Sequence, residues 1–266
     1  MPVQAADGRV LAVAGSTRDI TDRKNTERSL RESAQQLVEA DRRKDDFLAT
    51  LAHELRNPLA PIRNGLEIMR LAADNPQMLR SAREMMERQL THLTRLVDDL
   101  FDMGRIGAGK VELRKERVDL GAILQRAIEM SRPAIERHHQ QLTVELPSQP
   151  IEINADLTRL AQVFANLLNN AAKFTPAHGR IHLAARREGS SVRVTVKDNG
   201  IGIAAEQLPR IFDLFVQGDA PIDRTGGGLG IGLSLVRGLV SLHGGTVEAK
   251  SDGAGEGSEF CVQLPL

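Results

Sequence analysis

A chain of 266 residues, 41% of them apolar, is long enough for two domains that each bury a core. Its 35 basic and 35 acidic side chains cancel, no Lys/Arg block stands out, and Trp and Tyr are absent, which together argue against a nucleic-acid-binding protein. The single cysteine, Cys261, excludes an internal disulfide and a multi-thiolate metal site, and no apolar run reaches the roughly 20 residues of a membrane span. We therefore expect a soluble, cytoplasmic chain.

The first predicted element is a strand within residues 9–20, RVLAVAGSTRDI, where apolar residues alternate. A lone strand cannot form a sheet, so we expect its partner strands to lie upstream of this sequence. From Thr26 the composition favours a helix with a heptad seam at Leu30, Ala34, Leu37, Leu48, Leu51, Leu55 and Ile62. Asp41 and Lys44 interrupt the seam, which indicates a helical bundle with a coiled-coil entry.

A second helix is predicted to begin after Asn75, because Asn is a favoured N-cap and Pro76 a favoured first helical residue. Its apolar face carries Leu79, Met86, Leu93, Val97 and Leu100. Two helices joined by a short loop form a hairpin whose apolar stripe stays half exposed. Pairing two hairpins into a four-helix bundle would cover that stripe, so we expect a homodimer.

The segment GRIGAGK, residues 104–110, is typical of a linker, and nothing else in the sequence indicates a tie between the two halves of the chain. Beyond it, helical patterns at about 120–137 and 156–173 are interleaved with period-two runs at 181–185, 192–196 and 260–264. This pattern predicts an α+β domain with a largely antiparallel sheet carrying helices on one face.

The first predicted helix contains an unusual stretch, FLATLAHELRNPLAPIRNG, residues 47–65. His53 falls between the seam positions Leu51 and Leu55 and should point to solvent. Pro58 and Pro61 should bend the helix just past the imidazole, although they could instead tune the supercoil. A neutral imidazole offers a lone pair and can act as a nucleophile, and the neighbouring Glu54 could take its proton.

Four clusters in the second half require a common explanation: NLLNNAAKF (166–174), DNGIGI (198–203), IFDLFVQ (211–217) and GGGLGIGLSLV (226–236). Asn166 and Asn170 share a helix face, and an amide oxygen there suits Mg²⁺. Asp198 could accept a hydrogen bond from an exocyclic amine such as that of adenine, or it could be a simple turn residue. The glycines of the last cluster would let backbone N–H groups approach phosphate.

His53-Glu54-Leu55-Arg56-Asn57-Pro58 resembles the phosphoacceptor motif of two-component sensor histidine kinases. The four later clusters resemble, in order and spacing, the nucleotide-binding boxes of the Bergerat-type ATPase domain of the same family. The likeness covers residues 29–266, and DITDRK at 19–24 resembles the end of a PAS sensor domain.

The resemblance implies that His53 accepts the γ-phosphoryl group of ATP, that Glu54 acts as base, and that Asn57 positions water for the reverse reaction. It also implies that Asn170 holds Mg²⁺. The residues implied to bind the nucleotide are Asn166, Asn170, Lys173, Phe174, Asp198, Gly200, Gly202, Gly228, Gly230 and Gly232. Phe212 and Phe215 match the aromatic box of the family, although they would equally suit an ordinary core. Leu229 stands where the family often has Thr.

These inferences predict an α+β protein in which a dimeric four-helix bundle of helical hairpins precedes an α/β sandwich that binds ATP. The predicted domains are the end of a PAS-like sensor (1–25), the hairpin (26–104), a linker (105–111) and the catalytic domain (112–266). The expected function is a histidine autokinase that passes phosphate to the receiver domain of a response regulator, with possible phosphatase activity. The alternative is a catalytically silent dimeric scaffold that binds ATP.

Overall fold

A computed structural model describes residues 2–4, 6, 7, 10–13, 21–71, 75–214 and 230–266. The helices are α1 (Thr21–Leu71), α2 (Pro76–Gly107), α3 (Leu120–Arg137), α4 (Leu157–Phe174), a 3-10 helix (Leu208–Arg210) and α5 (Gly232–Leu242). The strands are β1 (Pro2–Gln4), β2 (Val10–Val13), β3 (Glu116–Asp119), β4 (Gln141–Glu145), β5 (Glu152–Ala155), β6 (Arg180–Glu188), β7 (Ser191–Asp198), β8 (Thr246–Lys250) and β9 (Ser258–Pro265). None of the helices within these ranges has the length and apolar character needed to cross a membrane.

The chain forms two compact units, residues 1–49 and residues 50–266. In the first unit β1 pairs antiparallel with β2, and Pro2 lies opposite Val13. The predicted strand therefore has one antiparallel partner within the chain, and the expectation of further partner strands upstream stays a prediction. A three-residue strand is too short for alternation to be recognised in a sequence. Residues 14–20 lie outside the described residues, and the PAS-like origin of residues 1–25 stays a prediction.

The two long helices form the predicted hairpin. α1 continues through Pro58 and Pro61 without ending, so the loss of two backbone N–H groups is tolerated there. At the start of α2 the Asn75 side chain accepts hydrogen bonds from the backbone N–H groups of Gln77 and Met78, which confirms the predicted N-cap. The bend past His53 stays a prediction.

The apolar surface of the hairpin divides into two sets. From Leu51 onward the predicted seam and face residues, such as Leu55 on α1 and Leu93 on α2, are half-buried. The exposed set comprises predicted seam residues nearer the start of α1 and others that were not predicted, and it includes Leu30, Leu37, Leu48, Leu59, Leu66 and Phe101, the last with 68% of its surface exposed. Large apolar side chains in such number on one hairpin are typical of a surface that another protein covers.

The second half of the chain contains a five-stranded sheet in the order β4-β6-β7-β9-β8 and a separate two-stranded pair, β3 with β5. Within the large sheet β4 and β6 are parallel and the other neighbours are antiparallel. The sheet is therefore mixed, and largely antiparallel as the alternation predicts. The strands β3, β4, β5 and β8, each of four or five residues, were not predicted from the sequence, although burial alternates along β5 and β8.

The helices α4 and α5 pack on the sheet, and α3 packs on α4 and β3. α4 packs on β6 and β7 and also against α3 and α5, so it lies at the centre of the domain. The side chains of Leu160, Phe164, Leu167 and Leu168 on its inner face are fully buried. This packing fixes the rotation of α4 about its own axis, and with it the direction in which the polar side chains of the helix point.

The predicted linker at 104–110 is partly helical, because α2 continues to Gly107. A Cβ built at Gly238 on α5 would lie 2.9 Å from Cγ2 of Ile106, so the last turn of α2 packs against α5. This contact outweighs the low helix propensity of Gly104 and Gly107. Residues 108–115 connect α2 to β3.

A buried histidine, His243, joins α5 to the start of α4. Its Nδ1 donates to the carbonyl of Leu239, and its Nε2 accepts from the backbone N–H of Asp156. Only the neutral imidazole can make both hydrogen bonds. Burial lowers the pKa of His243, and the Lys115 ammonium lowers it further, while the Leu239 carbonyl and Asp156 oppose the shift.

We expect the free energy of unfolding to fall as pH decreases below about 6.5, the ordinary pKa of histidine, because the unfolded chain then binds a proton that folded His243 resists. Above that pH this contribution is fully present. The loss should amount to about 1.4 kcal/mol for each unit by which the two pKa values differ. Urea unfolding at pH 7.5 and 5.5 measures it, and His243→Gln should be less stable at pH 7.5 but should lose less between the two pH values. An equal pH-dependent loss in both proteins would contradict the assignment.

Candidate functional site

The polar face of α4 forms one wall of the site. Asp156 caps the helix by accepting a hydrogen bond from the backbone N–H of Arg159. Because 3.6 residues make one turn, Gln162, Asn166, Asn170 and Lys173 follow one another on a single face, opposite the apolar core face. The two predicted asparagines and the predicted lysine thus share one surface of the helix.

The amide of Asn166 carries the clearest sign of a missing ligand. Its Nδ2 is buried and has no hydrogen-bond partner among the described residues. A buried N–H group without a partner costs about 1–3 kcal/mol, so such groups are rare in folded proteins. An oxygen atom from a bound anion would remove this cost. Asn170, one turn further along α4, is partly exposed and can present its own amide to the same space.

Lys173 lies at the end of this face. Its ammonium lies 5.1 Å from the centre of the Phe174 ring, a cation–π distance. Burial lowers the pKa of Lys173, the carboxylate of Glu54 raises it, and the guanidinium of Arg95 lowers it. Lys173 therefore interacts electrostatically with the residue that follows His53.

Asp198 ends β7, the central strand of the large sheet, and only 5% of its surface is exposed. Its Oδ1 accepts from the backbone N–H of Gly200 at 2.8 Å, and its Oδ2 accepts from the hydroxyl of Ser258 at 2.6 Å. These two donors fix the orientation of the carboxylate. Because each carboxylate oxygen can accept a further hydrogen bond, Asp198 keeps the capacity to bind an amine.

Two glycines shape the loop that follows Asp198. Gly202 has a φ of +72°, and a Cβ there would lie 1.9 Å from the carbonyl oxygen of Gly253. A Cβ at Gly200 would lie 2.4 Å from the carbonyl oxygen of Phe174, at the end of α4. The backbone N–H of Ile201 donates to that same Phe174 carbonyl, which ties the loop to the end of α4.

A second loop, residues 251–257 (SDGAGEG), supports the first and was not predicted from the sequence. The Ser251 hydroxyl accepts from the backbone N–H of Ile203 and donates to the carbonyl of Gly257. The backbone N–H of Gly255 donates to the carbonyl of Ile201 at 2.7 Å. The alternating glycines at 253, 255 and 257 are the sequence signal that could have indicated this loop.

The glycine-rich cluster ends at the start of α5. Gly230 has a φ of +67°, and Gly232 is the first residue of the helix. Ile231 is the N-cap and provides no side-chain cap, so among the described residues the first N–H groups of α5 have no capping side chain. Gly228, Phe215 and Leu229 lie outside the described residues. Phe212 is buried and contacts Phe260 edge to face, which is a core position.

The turn of α1 that contains His53 approaches this site. His53 and Asn57 are exposed and Glu54 is half-buried. Burial raises the pKa of the Glu54 carboxyl, and the charge of Lys173 partly opposes that rise. The structure thus brings Glu54 to the polar face of α4. The expectation that only the linker joins the two halves is wrong, because Arg159 on α4 also forms an ion pair with Asp102 on α2.

The polar side chains of this site suit a nucleotide whose phosphates bind a hard cation. No group of three or more His, Cys, Asp or Glu side chains in the described ranges could hold a metal ion. A cation at this site would therefore depend on the Asn170 amide oxygen together with phosphate and water oxygens, which is how Mg²⁺ is commonly held. The unpaired Asn166 amide and the Lys173 ammonium suit phosphate oxygens.

Comparison with known proteins gives a consistent result. The family described as histidine kinase-, DNA gyrase B-, and HSP90-like ATPase matches residues 155–266, and the His Kinase A (phospho-acceptor) domain matches residues 43–109. An uncharacterized sensor-like histidine kinase of Rhizobium meliloti (strain 1021) is 34% identical over 99% of this chain. The chain spans about half of the length of that relative, 51%.

Two solved structures share the fold. Full-length ShkA in complex with AMPPNP is 32% identical with a TM-score of 0.61, and the match covers 82% of this chain and 45% of ShkA. Histidine kinase ThkA in complex with the response regulator protein TrrA has a TM-score of 0.59 at 23% identity, over 100% of this chain and 73% of ThkA. The second likeness concerns the fold alone.

We expect Gly202→Ala to weaken nucleotide binding and to destabilise the fold, because the new Cβ would collide with the Gly253 carbonyl. Gly189→Ala is the matched control, since Gly189 has a φ of +62° but open space around its Cβ position. The free energy of unfolding of the control should fall by about 1–2 kcal/mol, because alanine disfavours the left-handed conformation. Its affinity for the ATP analogue should stay unchanged. Urea unfolding and titration with a fluorescent ATP analogue measure both effects. Equal behaviour of the two variants would contradict the role given to the Gly253 contact.

Proposed function

Because the chain belongs to the two-component sensor histidine kinases, we propose that it is an ATP-dependent autokinase that phosphorylates its own His53. It then transfers the phosphoryl group to an aspartate in the receiver domain of a response regulator. The observation that carries this proposal is the approach of Lys173, on the nucleotide-binding face of α4, to Glu54, the residue next to the exposed His53.

The residues of the chain suggest how the transfer proceeds. One ring nitrogen of neutral His53 attacks the γ-phosphorus, an N–P bond forms, the bond to the bridging oxygen breaks, and ADP leaves. Glu54 takes the proton from the other ring nitrogen, and its raised pKa makes it a better base than an ordinary carboxylate. Lys173 offsets negative charge on the phosphates. Asn170 would hold Mg²⁺, which neutralises the phosphates and orients them.

The nucleotide base would lie against the loop after β7. Asp198 is buried and oriented by two donors, so it can accept from the adenine amine without reorganising. Gly200 and Gly202 keep the loop close to the carbonyls of Phe174 and Gly253. The first turn of α5, which includes Gly232 and follows Gly230, would offer backbone N–H groups to the phosphates.

A second copy of the chain would cover the exposed apolar side chains of the hairpin, Leu59, Leu66 and Phe101 among them. The active form would then be a homodimer whose two hairpins build a four-helix bundle. The receiver domain would bind near His53. ThkA, a structure of related fold, has been solved in complex with the response regulator protein TrrA. Asn57, exposed one turn from His53, would position water during dephosphorylation of the receiver.

We expect the protein to become labelled by γ-labelled Mg-ATP, and the label to be lost in acid but kept in base, as for a phosphoramidate. His53→Gln should abolish labelling and leave ATP binding unchanged. The control His182→Gln, in the catalytic domain, should label normally, since His182 contacts Glu145 on the large sheet and not the site. Label that persists in His53→Gln would refute the assignment. ATP binding without any labelling of the wild type would support the silent scaffold.

We expect Asn170→Ala to lose Mg²⁺-dependent ATP binding by about tenfold or more, since it removes an amide ligand of the cation. Asn57→Ala should keep its autophosphorylation rate and slow the dephosphorylation of the receiver. Asn169→Ala is the matched control, because its side chain leaves α4 about 100° away from that of Asn170. Calorimetry with and without Mg²⁺ and a receiver dephosphorylation assay separate the two roles. Equal loss of autokinase activity in Asn57→Ala and Asn170→Ala would show that the division of roles is wrong.

A further inference from the structure

Two acidic side chains of α2 contact the first two turns of α4. Arg159 forms an ion pair with Asp102, and Gln162 Nε2 lies 3.3 Å from both Asp99 Oδ1 and Asp102 Oδ2. The Arg159 guanidinium also donates to Gln162 Oε1 at 3.1 Å, so the four side chains form one network. Only 9% of the surface of Asp102 is exposed, and a sheltered pair of this kind constrains geometry more than a surface ion pair does.

The end of α2 makes a second contact with the same domain, through α5. The Ser234 hydroxyl lies 3.8 Å from the sulfur of Met103, and the side chain of Ile106 packs against Gly238. The residues of α2 from Asp99 to Ile106, about two turns, therefore contact both α4 and α5. Two separate contacts on two helices fix an orientation, whereas one contact would leave the domain free to rotate about it.

The segment that connects α2 to the catalytic domain is also fixed by hydrogen bonds. The backbone N–H of Arg114 donates to Oδ2 of Asp156, the N-cap of α4, at 3.0 Å. The ammonium of Lys115 donates to the carbonyl of Leu242, at the end of α5. Only residues 108–113 remain between the end of α2 and these contacts, so the domain is tied closely to the hairpin of its own chain.

The first two turns of α4, which contact α2, lie at the same height along the hairpin as His53. A Cβ at Gly65 on α1 would lie 2.6 Å from Cγ of Met86 on α2, so these residues face each other across the hairpin. Counting back along α1 and forward along α2 from this contact places His53 level with Asp98, next to Asp99. Asn166 and Asn170 follow Gln162 by about 6 and 12 Å along α4. The nucleotide-binding face therefore begins at the height of His53 in the same chain.

We propose that α2 holds the catalytic domain in position for phosphoryl transfer to His53 of the same subunit, with Asp102 and Arg159 as positioning residues. The inference rests on the proposed autokinase function, and it adds the choice of acceptor subunit and the residues that enforce it. Transfer within one subunit follows because the α4 and α5 contacts, the short connection and the level of His53 all belong to one chain. The partner subunit then completes the four-helix bundle but does not supply the histidine that accepts the phosphoryl group.

Mixed dimers test the choice of subunit. Differently tagged His53→Gln and Asn170→Ala chains are co-expressed, and the heterodimer is isolated and incubated with γ-labelled Mg-ATP. We expect no label, because one subunit lacks the acceptor and the other the nucleotide site. A heterodimer of wild type with the His53→Gln, Asn170→Ala double variant should label its wild-type subunit at the ordinary rate per site. Label on the Asn170→Ala subunit would overturn the inference, and absence of label on the wild-type homodimer would overturn the proposed function itself.

If the chain proves monomeric at the concentrations used, the order of the labelling reaction gives the answer. A rate per chain that does not change with protein concentration supports transfer within the chain. A rate per chain that rises in proportion to concentration overturns it.

Charge reversal tests the positioning residues. Asp102→Arg and Arg159→Asp should each lower the autophosphorylation rate by about tenfold or more while the KM for ATP stays unchanged. The double variant Asp102→Arg, Arg159→Asp restores the pair and should recover most of the rate, which a merely damaged fold would not do. The matched control reverses the exposed pair of Arg117 with Glu152, far from α2, and should leave the rate unchanged. Single reversals that label as fast as the wild type or faster, or a double variant as slow as the single ones, would overturn the role of the pair.

Discussion

Packing on two sides sets the position of α4, and the site is built around this helix. Its inner face is buried against the sheet by large apolar side chains such as Phe164 and Leu168, and this burial leaves the helix no freedom to rotate. Its outer face consequently points Asn166 and Asn170 in a fixed direction. A binding surface supported in this way loses little conformational entropy when a ligand arrives. The same rigidity allows one end of the helix to be held by α2 while the other end carries the residues proposed to bind the nucleotide.

The electrostatics of the site follow from burial as much as from charge. Glu54 and Lys173 are both partly buried, and burial shifts the pKa of each side chain towards its neutral form. The charge of each opposes this shift, because it favours the ionised form of the other. A carboxyl that holds its proton more tightly and an ammonium that releases its proton more easily are both useful where protons and phosphates move. Neither property can be assigned from a residue type alone, because both arise only when the two helices meet.

The sequence predicted the long elements and the residues with distinctive chemistry. The heptad pattern and the Asn75 cap located the hairpin, and strict alternation located β6, β7 and β9. The short strands β3 and β4 were missed because a few residues carry no periodicity. The docking of Arg159 on Asp102 could not be predicted, because residues separated by 57 positions meet only through tertiary packing. The loop 251–257 was missed for a related reason, since its role is to support another loop and not to contact a ligand.

Asp156 joins three segments of the chain, and this limits where the catalytic domain can be cut from the hairpin. Its carboxylate receives the backbone N–H groups of Arg114 and Arg159, while its own backbone N–H reaches His243. The ATPase family match begins at residue 155, but a truncation at that point would delete β3, α3, β4 and nearly all of β5. It would also expose the edge of β6, which pairs with β4, and the side of α4 that packs against α3. The smallest autonomous folding unit therefore starts upstream of Arg114, and a chimaera that joins this domain to a foreign hairpin should carry the whole connecting segment with it.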